Sequence, residues 1–176
     1  WRRRSPRGSD SVLRVATDHP VTLAVRALRA ARVPFVAHVF VYEPRGGTRH
    51  SAEALGVDEH QVVKTLILED ENRAPLCVLM HGDREVSTKN LARQIGKKRV
   101  VPCDPKVAEK HSGYLVGGTS PFGLKKPMPL YAERTIAALD RIYVNGGARG
   151  FLVAVCPADL ATVLAPVWVD AATEDA

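Results

Sequence analysis

Residues 62–81, VVKTLILEDENRAPLCVLMH, contain two apolar runs separated by a short polar stretch. The run at 62–70 and the run at 75–81 are rich in Val, Leu and Ile, and their lengths are typical of strands. The polar stretch DENRA at 70–74 is too short for a parallel connection, which needs a crossover of about a dozen residues or more. The segment therefore predicts an antiparallel pair of strands.

Outward from this pair, the same criteria predict further helices and strands. Helices are expected from Pro20 to the Val33-Pro34 break and at 51–56, 88–95, 133–139 and 158–164, and another is expected to begin at Asp104-Pro105. Strands are expected at 35–42, 98–103, 114–116, 129–132, 141–145, 151–155 and 166–171, with an exposed loop at 43–49 and a turn at Gly146-Gly147. Strands and helices do not alternate regularly, which argues against a doubly wound parallel sheet and for the α+β class.

Composition predicts one globular domain preceded by a basic tail. The chain has 176 residues, with 45% hydrophobic and 25% charged residues. Residues 1–16 hold five arginines against Asp10, so they supply +4 of the net charge of +6, and with no apolar run they are expected to be disordered. Residues 17–176 are expected to form the domain. No stretch reaches the roughly 20 apolar residues of a membrane span, and Cys77, Cys103 and Cys156 form no CxxC pair, so a soluble protein of the reducing cytoplasm is predicted.

A second basic region lies within the domain, between residues 89 and 110. Seven bases stand there against two acids, Asp104 and Glu109. Such a segment can attract a polyanion, or it can be a solvated helix face that is neutralised by other elements. Lys97, Lys98 and Arg99 are its densest part and are the predicted nucleic-acid contacts.

Lys64 is a candidate functional residue because it interrupts an apolar strand. At a period of two residues it shares a face with Val62, Leu66 and Leu68. Its ammonium group either reaches the edge of the sheet or is held in a partly apolar site, where it would be a strong donor to a phosphate or a developing oxyanion.

Two glycine-rich segments are the other candidates. Residues 117–123, GGTSPFG, can bring backbone N–H groups close to an anion or a carbonyl oxygen, or they can form a tight connection only. Residues 145–150, NGGARG, need no function beyond a hairpin turn. The patterns GxxxxGK[ST], GxGxxG, HExxH and GxSxG are absent, which argues against a P-loop, a dinucleotide site, a zinc protease site and a serine hydrolase elbow.

Together, Val63-Lys64-Thr65-Leu66, the segment 113–123 and the segment 142–150 resemble the YbaK/EbsC family of aminoacyl-tRNA deacylases, relatives of the editing domain of bacterial prolyl-tRNA synthetase. The resemblance covers about residues 20–172. It implies a curved, largely antiparallel mixed sheet surrounded by helices, and hydrolysis of the ester that links a wrong amino acid to tRNA. It implies no cofactor and no metal.

The resemblance also assigns roles to individual residues. Lys64 is the expected catalytic residue. The predicted pocket residues are Phe40, Thr65, Gly117, Gly118, Thr119, Ser120, Pro121, Phe122, Gly123, Asn145, Gly146 and Gly147. Members that act on Cys-tRNA(Pro) tend to have Ser, Asp and Tyr where this chain has Asn145, Leu152 and Phe40, which leaves serine, threonine and alanine open. The Lys64-Thr65 pair and the GGTSPFG segment resemble the YbaK-like branch more than the alanine-editing branch, so cysteine is the leading amino acid. The implied partners are aminoacyl-tRNA and prolyl-tRNA synthetase, and a monomer is the default.

Overall fold

The structure, a computed structural model, describes residues 18–173 and contains one mixed sheet of eight strands within them. The predicted tail at 1–16 lies outside the described residues. The strands are β1 (Val36–Val39), β2 (Val62–Asp70), β3 (Pro75–His81), β4 (Val100–Pro102), β5 (Leu130–Glu133), β6 (Ile142–Ala148), β7 (Phe151–Val155) and β8 (Val167–Val169).

Within the described residues five α-helices accompany the sheet, and polar side chains cap the start of several of them. The helices are α1 (Leu23–Ala30), α2 (Gly47–Leu55), α3 (Thr88–Gln94), α4 (Pro105–Ser112) and α5 (Pro157–Leu164), with 3-10 helices at Glu59–Gln61 and Arg134–Ala138. Thr22, Ser87 and Asp104 accept hydrogen bonds from the first-turn amides of α1, α3 and α4. No helix in this part of the chain is long and apolar enough to cross a membrane.

The strand order is β1-β7-β6-β2-β3-β5-β8, with β4 paired to the far end of β2. Four pairings are antiparallel, β1–β7, β2–β3, β2–β4 and β6–β7, and three are parallel, β2–β6, β3–β5 and β5–β8. The predicted α+β class and mixed sheet are confirmed. The predicted 62–81 hairpin is confirmed too, since β2 and β3 pair from Val63↔His81 to Glu69↔Pro75.

The two faces of the sheet carry different cores. One face holds the largest apolar cluster, in which Val63, Ile67 and Val144 pack with Leu28 of α1 and Leu160 of α5. On the opposite face there are two clusters. The first includes Leu68, Met80 and Leu91 of α3; the second includes Val62, Tyr143, Leu152 and Ala52 of α2. Lys64 therefore lies where the apolar cover of the second face is interrupted.

Several predicted elements differ from those in the structure. Residues 114–116 are not a strand but the start of an irregular loop, which runs on without sheet pairing to β5. Helix α2 begins at Gly47, inside the segment expected to be a loop, and residues 134–138 form a 3-10 rather than an α-helix. The β6–β7 turn was expected at Gly146-Gly147, but β6 continues to Ala148 through an irregular register.

Candidate active site

The register of β2 and β6 brings Lys64 close to the NGGARG segment. In this parallel pair Val62 lies opposite Tyr143 and Val63 opposite Val144. Lys64 and Asn145 are the next residues of the two strands, and neighbouring strands lie about 4.8 Å apart. Two of the motifs quoted from the sequence therefore meet on adjacent strands.

The Lys64 side chain lies along the sheet and ends at the surface. Its Nζ donates to Glu85 Oε1 at 3.0 Å, and the Lys64 side chain is 18% exposed whereas that of Glu85 is 80% exposed. Of the two alternatives for Lys64, this is the one in which a covered stem carries the ammonium to the edge. An ion pair with so exposed a carboxylate contributes little to stability, so an incoming anion can replace Glu85.

Asn145 joins the bend in β6 to the glycine loop at 117–123. Its Oδ1 accepts hydrogen bonds from the amides of Gly147 (2.7 Å) and Ala148 (3.2 Å), and its Nδ2 donates to the carbonyl of Gly117 at 3.1 Å. The register of β6 with β7 shifts between Asn145 and Ala148, as in a β-bulge. The amide side chain thus fixes both segments at once.

Gly118 allows the loop to pack directly on the backbone of the β6–β7 turn. A Cβ at this position would lie 3.0 Å from the Ala148 carbonyl carbon and 3.0 Å from the Arg149 nitrogen, so only glycine fits without a shift of the backbone. Arg149 holds the loop from the other side, because its Nε donates to the Val116 carbonyl at 2.9 Å and its guanidinium lies 5.4 Å from the centre of the Tyr42 ring.

The second half of the loop is an internal anchor. Ser120 and Phe122 are fully buried, and Tyr114 donates its hydroxyl proton to the Phe122 carbonyl. Burial also raises the pKa of Tyr114, which keeps it a neutral donor. Burying a phenyl ring of this size stabilises the fold by about 1.5–3 kcal/mol. The side chains of Ser120, Pro121 and Phe122, which were predicted to line the pocket, therefore face the protein interior.

The first half of the loop offers unused donors. The amides of Gly117 and Thr119 donate to no acceptor within residues 18–173. Gly117 is exposed and has a φ of +89°, and Thr119 is partly exposed. Backbone amides held rigidly in this way can bind an anion or stabilise a developing oxyanion.

Phe40 and Leu152 form an apolar wall beside these groups. Leu152 lies opposite Asn145 in the β6–β7 pair, and Phe40 packs against the same cluster as Leu152. His50 lies next to Phe40, with its Nδ1 3.0 Å from Glu43 Oε2 and its Nε2 2.8 Å from the Val41 carbonyl. Because both of its ring nitrogens are occupied, His50 is not placed to act as a free general base.

Thr65 has a buried hydroxyl for which the described part of the chain provides no hydrogen-bond partner. It follows Lys64 and, by strand alternation, points to the opposite face, between Val63 and Ile67. Such an orphaned polar atom is rare in native structures and needs a physical explanation.

The predicted nucleic-acid contacts lie at the other end of β2. The Lys97 ammonium donates to Asp70 Oδ2 at 2.7 Å, and β4, which follows Arg99, pairs with Leu68–Asp70. Six residues of strand separate Asp70 from Lys64, a distance of about 20 Å. The structure thus brings Lys64, Asn145 and the glycine loop together and leaves Lys97, Lys98 and Arg99 apart from them.

Two features of this site did not stand out in the sequence. Arg149 belongs to the NGGARG segment but was not singled out, although a charged residue in a glycine-rich turn was an available signal. No local sequence pattern indicates Glu85, because its contact with Lys64 spans 21 residues.

A separate open cavity of about 500 Å³ is lined by Ser87, Asn90, Glu133, Asp170, Ala172 and Thr173. In the described part of the chain no group of three His, Cys, Asp or Glu side chains could hold a metal ion.

Comparison with known proteins identifies the family. Residues 43–163 match the model of the aminoacyl-tRNA editing domain. The chain is 31% identical over 137 residues to a protein of Enterococcus faecalis named "Putative Cys-tRNA(Pro)/Cys-tRNA(Cys) deacylase EbsC", covering 77% of this chain and 84% of that protein. The chain therefore belongs to the aminoacyl-tRNA editing domain family, as the sequence motifs predicted.

Larger proteins and solved structures extend the comparison. The chain is 25% identical over 105 residues to the proline–tRNA ligase of Limosilactobacillus fermentum, where the match covers 57% of this chain but only 18% of the ligase. A crystal structure described as a "putative trans-editing enzyme for prolyl tRNA synthetase" superposes with a TM-score of 0.74 and 20% identity over 89% of this chain and all of that one. A hypothetical protein gives a TM-score of 0.79 at 24% identity, over 86% and 99% of the two chains. These two structures share the fold.

Proposed function

We propose that this protein is a trans-editing aminoacyl-tRNA deacylase that removes a wrong amino acid from tRNA, with Cys-tRNA(Pro) as the leading substrate. The observation that carries the proposal is the meeting of Lys64, Asn145 and the free amides of the glycine loop at one place on the sheet. The name of the EbsC relative supports the choice of cysteine and of tRNA(Pro).

The glycine loop would stabilise the charge that develops during ester cleavage. When the ester carbonyl becomes tetrahedral, its oxygen gains negative charge, and the amides of Gly117 and Thr119 are donors without an acceptor in the described chain. Removal of one such donor typically costs about 10²–10³ in rate. The loop can hold this geometry because Asn145 and the buried Phe122 fix it from both ends.

Lys64 would position the end of the tRNA. Its ammonium lies at the surface and, among the residues that the structure describes, pairs only with the exposed Glu85, so a terminal phosphate or hydroxyl oxygen can take the place of that carboxylate. Correct orientation of the reacting groups can lower a barrier by roughly 7–11 kcal/mol. On this view Lys64 contributes orientation and charge rather than proton transfer.

The chemistry would be assisted by the substrate. The thiol of an esterified cysteine attacks its own carbonyl carbon, so that a C–S bond forms, the ester C–O bond breaks and the thiol proton passes to the ribose oxygen. The products are uncharged tRNA and a cyclic thioester, which water opens. No general base is required from the protein, in keeping with His50 being occupied on both ring nitrogens.

The pocket wall keeps alanine open as a second substrate. Phe40 and Leu152 present apolar surface. The amide oxygen and nitrogen of the Asn145 side chain are both hydrogen-bonded to the protein backbone. A small uncharged side chain fits such a wall better than serine or threonine, whose hydroxyl would lose its hydrogen bonds to water.

Prolyl-tRNA synthetase is the proposed partner, since a domain of this size offers little surface for reading an anticodon far from the aminoacyl end.

Single-turnover deacylation of tRNA(Pro) charged separately with cysteine, alanine and serine tests the proposal. Wild type should clear one of the three rapidly, Lys64→Ala should slow that reaction by about 10²-fold or more, and Arg29→Ala, which removes an exposed charge from α1, should not. If none of the three is cleared while salt-sensitive tRNA binding persists, the protein is instead a non-catalytic tRNA- or synthetase-binding module.

A further inference from the structure

Four lysines, on α4 and on the segment that follows the glycine loop, have no carboxylate partner within residues 18–173. Lys106 and Lys110 lie on α4, and Lys125 and Lys126 follow the glycine loop; all four are exposed. Every ion pair of the described residues involves other groups, and none of these four has an interaction beyond those described. Their charges therefore remain available to a ligand.

Backbone hydrogen bonds gather these lysines on one surface. The amides of Lys125 and Lys126 donate to the carbonyls of Ser112 and His111, both at 3.0 Å, so the returning chain lies along the last turn of α4. Burial, together with the charges of Lys126 and Lys110, lowers the pKa of His111. Lys126 donates its amide to the carbonyl of His111, and Lys110 precedes His111 in the last turn of α4, so both lysines lie at the same end of the helix.

This lysine cluster is continuous with the glycine loop. Helix α4 ends at Gly113, whose added Cβ would lie 3.1 Å from Lys125 Cβ, and Gly117 follows at most about 14 Å further along the chain. Between them lie Leu115 and Val116, which are 58% and 45% exposed. Two carboxylates are close to these lysines in sequence: Glu109, which accepts a hydrogen bond from the Val116 amide at 3.1 Å, and Asp104, which caps α4 by accepting from the Lys106 amide at 3.0 Å.

Cations next to exposed apolar side chains can bind a nucleic acid strand. Lysines bind phosphates, and an unpaired base can pack against aromatic or apolar side chains. We infer that the acceptor arm of tRNA binds along Lys106, Lys110, Lys125 and Lys126, and that its unpaired 3′ end passes over Leu115 and Val116 to the glycine loop. This surface rests on the proposed function, because its direction is set by the site at Gly117.

The segment Lys97–Arg99 is a weaker candidate for this role. Lys97 already donates to Asp70 at 2.7 Å. The pKa of the Glu71 carboxyl is lowered by its own backbone amide and, to a smaller extent, by the amides of Lys98 and Arg99. These carboxylates offset much of the positive charge that the segment has in the sequence.

The test measures binding of uncharged tRNA(Pro) across a salt series. Lys110→Gln with Lys126→Gln should weaken binding and reduce the slope of log K against log salt by about two. The affinity lost between 50 and 200 mM salt should then be about tenfold smaller than in wild type. Two charge-matched variants serve as comparisons: Arg29→Gln with Arg73→Gln, which removes exposed cations elsewhere, and Lys98→Gln with Arg99→Gln.

Each outcome decides for or against this surface. The proposed surface is supported if the slope becomes smaller in the Lys110→Gln/Lys126→Gln variant (the α4 variant) and in neither of the two comparison variants. An equal or larger effect in the Lys98/Arg99 variant, or no effect in the α4 variant, overturns it. Because uncharged tRNA has no ester, the result does not depend on deacylation, and failure of the proposed chemistry would be seen separately in the single-turnover assay. A melting curve of each variant confirms that the fold is intact.

Discussion

Two lysines at opposite ends of β2 make nearly the same contact in very different surroundings. Lys64 donates to Glu85 at 3.0 Å, and Lys97 donates to Asp70 at 2.7 Å. The partner of Lys64 has a side chain that is 80% exposed, whereas the side chain of Asp70 is 3% exposed. The comparison shows that the burial of the carboxylate, more than the distance, determines what a lysine can do.

Asp70 has a structural task that Glu85 lacks. Its Oδ1 accepts hydrogen bonds from the amides of Asn72 and Ala74, each at 2.9 Å, and so closes the turn between β2 and β3. Lys97 satisfies the other oxygen and compensates the charge of this enclosed carboxylate. Lys64 closes no turn, and its exposed partner can be exchanged. The Lys97–Asp70 pair therefore stabilises the fold, whereas the Lys64–Glu85 pair leaves an ammonium group available to a ligand.

Exchanging each lysine for alanine gives the largest expected contrast. Lys64→Ala should lower single-turnover deacylation by about 10²-fold or more and leave Tm close to that of wild type, because its ion pair is exposed. Lys97→Ala should lower Tm by several degrees, because Asp70 is left enclosed without its counter-ion. Thermal melts and deacylation rates of both variants make the comparison.

Controls separate charge from local damage. Glu85→Gln removes the partner of Lys64 and should not reduce the rate of deacylation, since the ammonium remains. Lys98→Ala, one residue from Lys97, should leave Tm unchanged. Equal losses of Tm in the Lys64 and Lys97 variants would contradict the distinction between the two ion pairs.

Acid stability should report the ion pair between Lys97 and Asp70. The hydrogen bond from Lys97, followed by the amides of Ala74 and Asn72, lowers the pKa of Asp70 below its ordinary value of 3.8. The unfolded chain therefore takes up this proton first as the pH falls, so the stabilisation is complete above about pH 5 and is lost as the pH falls through the lowered pKa. Asp70→Asn should be less stable at pH 7 and should lose less stability than wild type on acidification, as Tm measured from pH 7 to pH 3 would reveal.

Local patterns predicted the strands on which the site is built. The bounds of β2, β3 and β7 agree with those expected, because each is a short apolar run limited by turn-forming residues. The motifs at Lys64, 117–123 and 145–150 also predicted which segments meet, through the family resemblance. The register that brings Lys64 beside Asn145 is a property of two strands about 80 residues apart, and no local pattern encodes it.

The features that the sequence did not predict depend on distant contacts. Where β6 extends past Gly146, the Asn145 side chain accepts hydrogen bonds from the amides of Gly147 and Ala148 and donates one to Gly117, 28 residues away. The segment 89–110 was predicted to be strongly basic, but Asp70 and Glu71 of the β2–β3 turn neutralise part of it. Summing charges along the chain misses carboxylates that come from another element.

Thr65 extends the comparison to a polar group for which residues 18–173 provide no hydrogen-bond partner. Its hydroxyl is buried and unsatisfied within the described residues, so Thr65→Val should leave the free energy of unfolding unchanged or raise it by up to about 1 kcal/mol. If the hydroxyl is kept for the substrate, the same change should lower kcat/KM for deacylation by about tenfold, and Thr65→Ser should restore most of it. A clear loss of stability in Thr65→Val would mean that the hydroxyl has a partner in the folded protein, and an unchanged kcat/KM would remove Thr65 from the site. In that case Lys64 and Thr65 would have different roles although they are adjacent on one strand. Lys64 would bind the ligand and Thr65, like Lys97, would stabilise the fold.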